Sequence, residues 1–268
     1  MNDGRALARA YLEQQRMLGG DAVILPGQPG SGMRDAGCVE AGAQDRRAAT
    51  GDTYPASRIP HPGVPPSGLS FDPPSGDLFA SDPVQQAATL ADVAALVAGC
   101  TKCKLCESRT NTVPGEGPAA ARLVVVGEGP GRTEDETGRP FVGKAGELLT
   151  KILAAIELPR ERVFICNVVK CRPPENRLPQ YDEIAACVPY LFRQLEILAP
   201  RAILAMGGTA AQTLLNTKQS LGALRNQVHR FRGIPVIVTY HPAALLRNPN
   251  WKRPTWDDVR IARRLLDG

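Results

Sequence analysis

Four short runs of almost uninterrupted apolar residues mark the C-terminal two-thirds of the chain: Leu123–Gly127, Val163–Val169, Ala202–Met206 and Pro235–Tyr240. Between them, apolar positions recur at intervals of three and four over Ala145–Ile156, Tyr181–Leu198 and Thr209–Leu215, and the same pattern over Thr255–Leu266 closes the chain. Runs apolar on both sides of the strand, alternating with amphipathic helices, predict a parallel sheet covered by helices on both faces, an α/β fold. Sheets of this kind bind ligands beyond the carboxyl ends of their strands. Three of the runs lead into residues with chemistry to offer: Gly127-Glu128-Gly129-Pro130-Gly131, Asn167 and His241.

The pattern is absent before residue 86. Residues 26–83 hold 10 Pro and 9 Gly in 58 positions, with turns and no apolar periodicity, a composition that predicts disorder. A short helical pattern over Ala6–Leu18, closed by Gly19-Gly20, precedes it. The expected organisation is a small N-terminal helix (1–25), a Pro/Gly-rich linker (26–85) and one folded domain (86–268), with the whole of 1–85 a largely disordered extension that names no partner. Charge divides at the same place, net −3 over 1–85 and +8 over the rest. A basic domain suits a polyanionic partner or simply a solvated face. No run reaches the roughly 18 apolar residues of a membrane span, and MNDGRALARAYLEQQRM lacks the apolar core of a secretory leader. A soluble, monomeric, cytoplasmic protein with no membrane partner is expected.

Seven cysteines stand at 38, 100, 103, 106, 166, 171 and 187. An intracellular chain does not use them as a disulfide framework. Cys100-x2-Cys103-x2-Cys106 has metal-ligand spacing, Cys171 follows a strand, and Cys187 lies in a predicted helix. A zinc ribbon needs a second Cys-x2-Cys, which is missing. An iron–sulfur centre accepts scattered ligands, although the ferredoxin run wants a cysteine at 110, where Thr stands. Reduced, structural cysteines remain the alternative. Cys166, inside an apolar run, reads as core.

Four motifs in order, Gly127-Glu-Gly-Pro-Gly131, Thr137-Gly-Arg-Pro-Phe-Val-Gly143, Asn167-Val-Val-Lys-Cys-Arg-Pro-Pro174 and His241-Pro-Ala-Ala-Leu-Leu-Arg247, resemble those of family 4 uracil-DNA glycosylase, the iron–sulfur type. The resemblance runs from about Cys100 to the C-terminus. It implies a three-layer α/β/α sandwich around a four-stranded parallel sheet, uracil-containing DNA (single- or double-stranded) as substrate, and a [4Fe–4S] cluster on Cys100, Cys103, Cys171 and Cys187, with Cys106 outside the ligand set. A superfamily variant that bonds covalently to uracil does so through a histidine in an inserted basic loop. The stretch after Asn167 lacks both, so no covalent trapping is expected.

Excising a base requires it to leave the stack and enter a pocket. Gly127 and Gly129 admit the flipped base close to the backbone. Phe141, between Gly138 and Gly143, is placed to stack on it, or to fold beneath its own loop. The Asn167 amide matches the N3–H and O4 edge of uracil and mismatches cytosine; otherwise it is a strand-end cap. A neutral His241 donates to O2 as the leaving base takes up negative charge, unless it only caps its helix. Glu128 is the candidate for orienting water or for local hydrogen bonding. Leu245, Leu246 and Arg247 are candidates for a wedge in the DNA stack, or for a helix turn on the core. Lys144 and Arg172, with Lys170 and Arg177, are candidate phosphate contacts. The rival readings are a non-catalytic iron–sulfur DNA-binding or damage-sensing module and a nucleotide-dependent oxidoreductase. Pro130 and the polar loop behind it disfavour the second.

Overall fold

The computed structural model describes residues 82–267. The helix expected over Ala6–Leu18 and the Pro/Gly-rich linker, with Cys38 in it, lie outside them. Among the described residues no helix is long and apolar enough to cross a membrane.

The chain enters through α1 (Pro83–Gln86), α2 (Leu90–Ala98) and α3 (Leu105–Ser108). Asp82 caps α1, and Thr89 and Asp92 form a reciprocal capping box on α2. Then follow β1 (Leu123–Gly127), α4 (Arg132–Thr137), α5 (Lys144–Ala155), β2 (Phe164–Asn167), α6 (Tyr181–Leu198), β3 (Ala202–Met206), α7 (Gly208–Leu215) and α8 (Leu221–Leu224). The chain ends β4 (Val228–Phe231), β5 (Ile234–Thr239), α9 (Pro242–Arg247) and α10 (Lys252–Asp267).

The strands lie in the order β2-β1-β3-β5-β4. The first four are parallel, as their apolar runs predict, in a register that pairs Gly127 with Asn167 and Leu204 with Ile237. Alternate residues of each strand face opposite layers. Val124, Val126, Ile203 and Val238 pack against α1, α2, α6 and α7, whereas Leu123, Val125, Leu204 and Ile237 pack against α5, α9 and α10. This is a three-layer α/β/α sandwich with one core on each face of the sheet.

Two expectations need correction. The sheet has five strands rather than four, and it is mixed: β4 runs antiparallel to β5 at the edge. Val228-His229-Arg230-Phe231 carries too little apolar character to read as a strand, because only Phe231 is buried. The two-residue connection Arg232-Gly233 has both φ angles positive (48° and 87°), which matches the twist of a tight hairpin and brings β4 onto β5. The packed chain also begins before residue 86, since Val84 lies in the core with Ala87. A chain starting at Ala88 is therefore expected to be about 2–4 kcal/mol less stable than one starting at Asp82, for the loss of these side chains from the core. Equal denaturation midpoints for the two would contradict this.

Candidate functional site

The strand order reverses direction about β1 and β3, and α/β sheets open a crevice at such a switch point. Here a cleft of about 1220 Å³, partly open to solvent, lies beyond the carboxyl ends of the strands, lined among others by Glu128, Gly129, Phe141, Asn167, Gly207 and His241. The residues singled out after β1, β2 and β5 thus meet in one place.

Gly127 sets how closely the walls approach. A Cβ there would stand 2.4 Å from Asn167 Oδ1 and 2.5 Å from Phe141 Cζ, so only glycine lets both close on the strand end. A Cβ on Gly129 would meet Val169 at 2.8 Å. Phe141 is buried with φ 51°, a left-handed backbone that a bulky residue adopts only when its surroundings impose it. Arg160 donates to the Phe141 and Pro140 carbonyls at 2.9 and 2.5 Å. Glu134 Oε1 accepts from the backbone N–H of Val142 and Gly143, both at 2.9 Å, and its Oε2 accepts from Gly131 N–H. One carboxylate thereby ties the glycine-rich loop to the phenylalanine loop. The Phe141 ring lies 5.4 Å from the His241 ring, tilted 32°.

Asn167 is 1% exposed and its Oδ1 has no hydrogen-bond partner among the described residues. A buried acceptor left open costs about 1–3 kcal/mol, and a donor brought into the cleft by a ligand would remove that cost. His241 caps α9, with Nδ1 accepting from Ala243 N–H at 3.2 Å. Burial, aided by the charge of Arg247, lowers its pKa to about 4. The ring is therefore neutral at pH 7, and because Nδ1 accepts, Nε2 carries the proton. An unfolded chain takes up this proton from about pH 6.5 down, the folded chain only near 4. Stability is accordingly full above pH 6.5 and falls as pH drops through that window, by up to about 3 kcal/mol. Denaturation at pH 7, 5.5 and 4 should show that loss in the native chain and a shallower slope in His241→Asn; identical slopes would contradict it.

Glu128 Oε2 accepts from Thr209 Oγ1 at 2.5 Å, so the carboxylate at the exit of β1 is held by the first turn of α7. Arg247 reaches the cleft rim. Leu245 does not: it is 1% exposed and packs in the core that holds Leu148 and Ile152, so it is not a wedge. Its neighbour Leu246, 50% exposed, is the apolar side chain that α9 presents outward. Lys144 is exposed at the start of α5, and Arg172 is half-buried with Nε on Asn176 Oδ1 at 2.9 Å. Arg177 pairs through two bonds with buried Glu183. Lys170 is fully buried and cannot reach a phosphate.

The same buried lysine belongs to a second site. Cys100, Cys103, Cys106, Cys171 and Cys187 line a small pocket between α2, α3, α6 and the segment after β2, together with Arg109, Lys170 and Tyr190. Among the described residues no three His, Cys, Asp or Glu close on a point fit for a single ion; the thiols surround a volume instead. Arg109 Nη1 donates to Cys171 Sγ and Lys170 N–H to Cys187 Sγ, both at 3.2 Å. Lys170 Nζ donates to neutral oxygens, Asn167 O at 2.8 Å and Gln194 Oε1 at 2.7 Å. A buried ammonium without a carboxylate needs a countercharge. Among the residues lining the cavity, thiolates are the source of one, although burial pushes the Cys187 thiol up to about 12, so that sulfur ionises only against a cation. A cationic iron–sulfur core bound by four thiolates answers both needs. Cys166 points into the apolar core, as its run predicts.

Glu134, Arg160, Thr209 and Arg109 were missed in the sequence. Glu134 alone left a trace there, as the third residue after the Gly131 that caps α4.

The chain belongs to the uracil DNA glycosylase superfamily, whose family model matches residues 114–261. Within it, the chain is similar to proteins named type-4 uracil-DNA glycosylase. That of Pyrobaculum aerophilum is 48% identical over 162 residues, 58% of this chain and 83% of the relative. That of Thermotoga maritima is 47% identical over 171 residues, 62% of this chain and 89% of the relative. A type-5 uracil-DNA glycosylase of Pyrobaculum aerophilum is 33% identical over 150 residues, 50% and 66% of the two chains.

Proposed function

We propose that this chain is a monofunctional DNA-repair glycosylase that takes deoxyuridine out of the DNA stack and hydrolyses its N-glycosidic bond, leaving an abasic site. The observation that carries the reading is the unpaired, buried Oδ1 of Asn167 in the lining of a cleft that a neutral His241 also lines.

Asn167 Oδ1 accepts the N3–H of uracil while its amide N–H donates to O4. The Phe141 ring, fixed by Arg160 and Glu134, supplies the stacking face. Uracil leaves as a delocalised anion, so the site needs no carboxylic acid to protonate it. Nε2–H of His241 donates to O2 as charge develops there, a fixed donor in a partly dry site. Glu128, held by Thr209, orients the attacking water on the sugar side. Cys100, Cys103, Cys171 and Cys187 hold a [4Fe–4S] cluster, with Arg109 and the Lys170 amide donating to its sulfur ligands. When bound, the cluster would join the segment between α2 and α3 to α6 and to the segment after β2, and would balance the buried Lys170 charge. Leu246, Arg247, Lys144 and Arg172 form the DNA-facing rim.

The test is a uracil-containing oligonucleotide incubated with the protein and then treated with alkali, with hypoxanthine, xanthine and thymine oligonucleotides in parallel. Alkali-labile breaks at uracil support the reading. DNA binding without breaks would make the protein a non-catalytic iron–sulfur module.

A further inference from the structure

One feature at the carboxyl end of the sheet takes no part in the chemistry above. Tyr240, the residue between β5 and His241, is stacked flat against Trp251, with ring centroids 4.7 Å apart and planes within 5°. The Arg225 guanidinium lies 4.3 Å from the Tyr240 centroid. Arg225 is itself anchored, its Nε donating to buried Asp258 at 2.8 Å, and Asp258 also accepts from Thr239 Oγ1 at 2.7 Å. A buried ion pair thus supports a guanidinium, the guanidinium a phenol ring, and that ring an indole. The series ends outward, because Trp251 is 36% exposed.

The platform stands at the carboxyl end of β5, the end of the sheet beyond which the cleft lies, with Tyr240 next in sequence to His241. Its surroundings suit a nucleic-acid strand. Arg247, on the cleft rim, and Arg253 are exposed cations on either side of Trp251 in sequence, and Leu246 stands exposed on the same α9 segment. An aromatic ring held flat beside cationic side chains is the recurrent way of gripping single-stranded DNA, because every base offers a π-face and every link a phosphate.

We propose that Trp251, seated on Tyr240 and Arg225, is a stacking subsite for one nucleobase of the substrate strand other than the excised uracil. The inference rests on the proposed function for the strand that occupies it. The subsite is independent of base identity, holds the strand beside the cleft, and gives grip on DNA whose partner strand is absent. Trp251 is accordingly a binding residue, removed from the reacting bond.

The experiment pairs single-stranded uracil oligonucleotides, each carrying one abasic spacer at a successive position on either side of the uracil, with the holoprotein and its Trp251→Leu and Trp251→Phe variants. Dissociation constants come from anisotropy and excision rates from single turnovers. In the native protein one spacer position within a few nucleotides of the uracil should weaken binding roughly 5- to 100-fold, the size of one lost base stack. In Trp251→Leu the intact oligonucleotide should bind weaker by a similar factor, and that spacer should cost less than about twofold more. Trp251→Phe should retain the coupling, and saturated excision rates should be unchanged throughout. Losses from spacer and substitution that simply multiply at every position would overturn the subsite while leaving uracil excision standing. A native protein that releases no uracil from the intact oligonucleotide would overturn the functional reading on which the subsite rests.

Discussion

Replacing His241 by Ala is expected to lower the single-turnover rate of uracil release about 10²- to 10³-fold, while the dissociation constant for uracil-containing DNA changes little. The size is that of removing one preorganised donor from a developing anion. The split follows from where the ring sits. It lies in the cleft, not on the strand-facing rim, and its proton on Nε2 is fixed by the bond from Ala243 N–H to Nδ1. A group that stabilises the leaving anion matters less when the anion is already stable. The rate loss should therefore shrink for 5-fluorouracil, which leaves more readily. Equal losses for both bases, or a loss confined to DNA affinity, would make His241 a positioning residue. Because the ring is neutral down to about pH 4, its contribution should persist through pH 6.5, where an ordinary histidine would begin to charge.

Cys187→Ser is expected to yield protein without the broad ~400 nm absorption of thiolate-bound iron, and with the domain largely lost to unfolding or aggregation. Cys187 is buried and bonded to the Lys170 N–H, and Lys170 in turn holds the Asn167 carbonyl. Loss of the cluster would leave the buried Lys170 ammonium without countercharge, which is strongly destabilising. Cys171→Ser should behave alike, whereas Cys106→Ser should stay brown and folded. The comparison is informative because Cys106 lines the same cavity. A brown, stable Cys187→Ser protein, or bleaching by Cys106→Ser alone, would reassign the ligands.

Much of the architecture was legible because burial on both faces leaves continuous apolar runs, as in Val124–Val126 and Ile203–Ala205. The helix over Tyr181–Leu198 was legible to the residue for the complementary reason, one apolar stripe. β4 was not, since an edge strand needs no apolar run and its pairing depends on a turn at Arg232-Gly233. The site shows the same division. Gly127, Asn167 and His241 stand at strand ends, where period and topology direct attention. The residues that hold them are remote in sequence: Arg160 binds a carbonyl 19 residues away, Thr209 a carboxylate 81 away. Such long-range hydrogen bonds leave no local pattern. Leu245 and Leu246 differ by one position on a helix, and only the direction of α9 separates a core side chain from an exposed one.

The central claim is that Asn167 reads the edge of a flipped uracil, and release of uracil and cytosine by the native protein and by Asn167→Asp tests it most directly. Matched oligonucleotides differing only at the target base are followed in single turnovers. The native protein should release uracil and leave cytosine. The carboxyl group that Asn167→Asp introduces, when protonated, can donate to cytosine N3 and accept from its amino group. The variant should therefore release uracil more slowly and gain measurable release of cytosine. The result that contradicts the account is a variant whose uracil rate is unchanged, or one that loses uracil release with no gain on cytosine at any pH where the carboxyl is protonated.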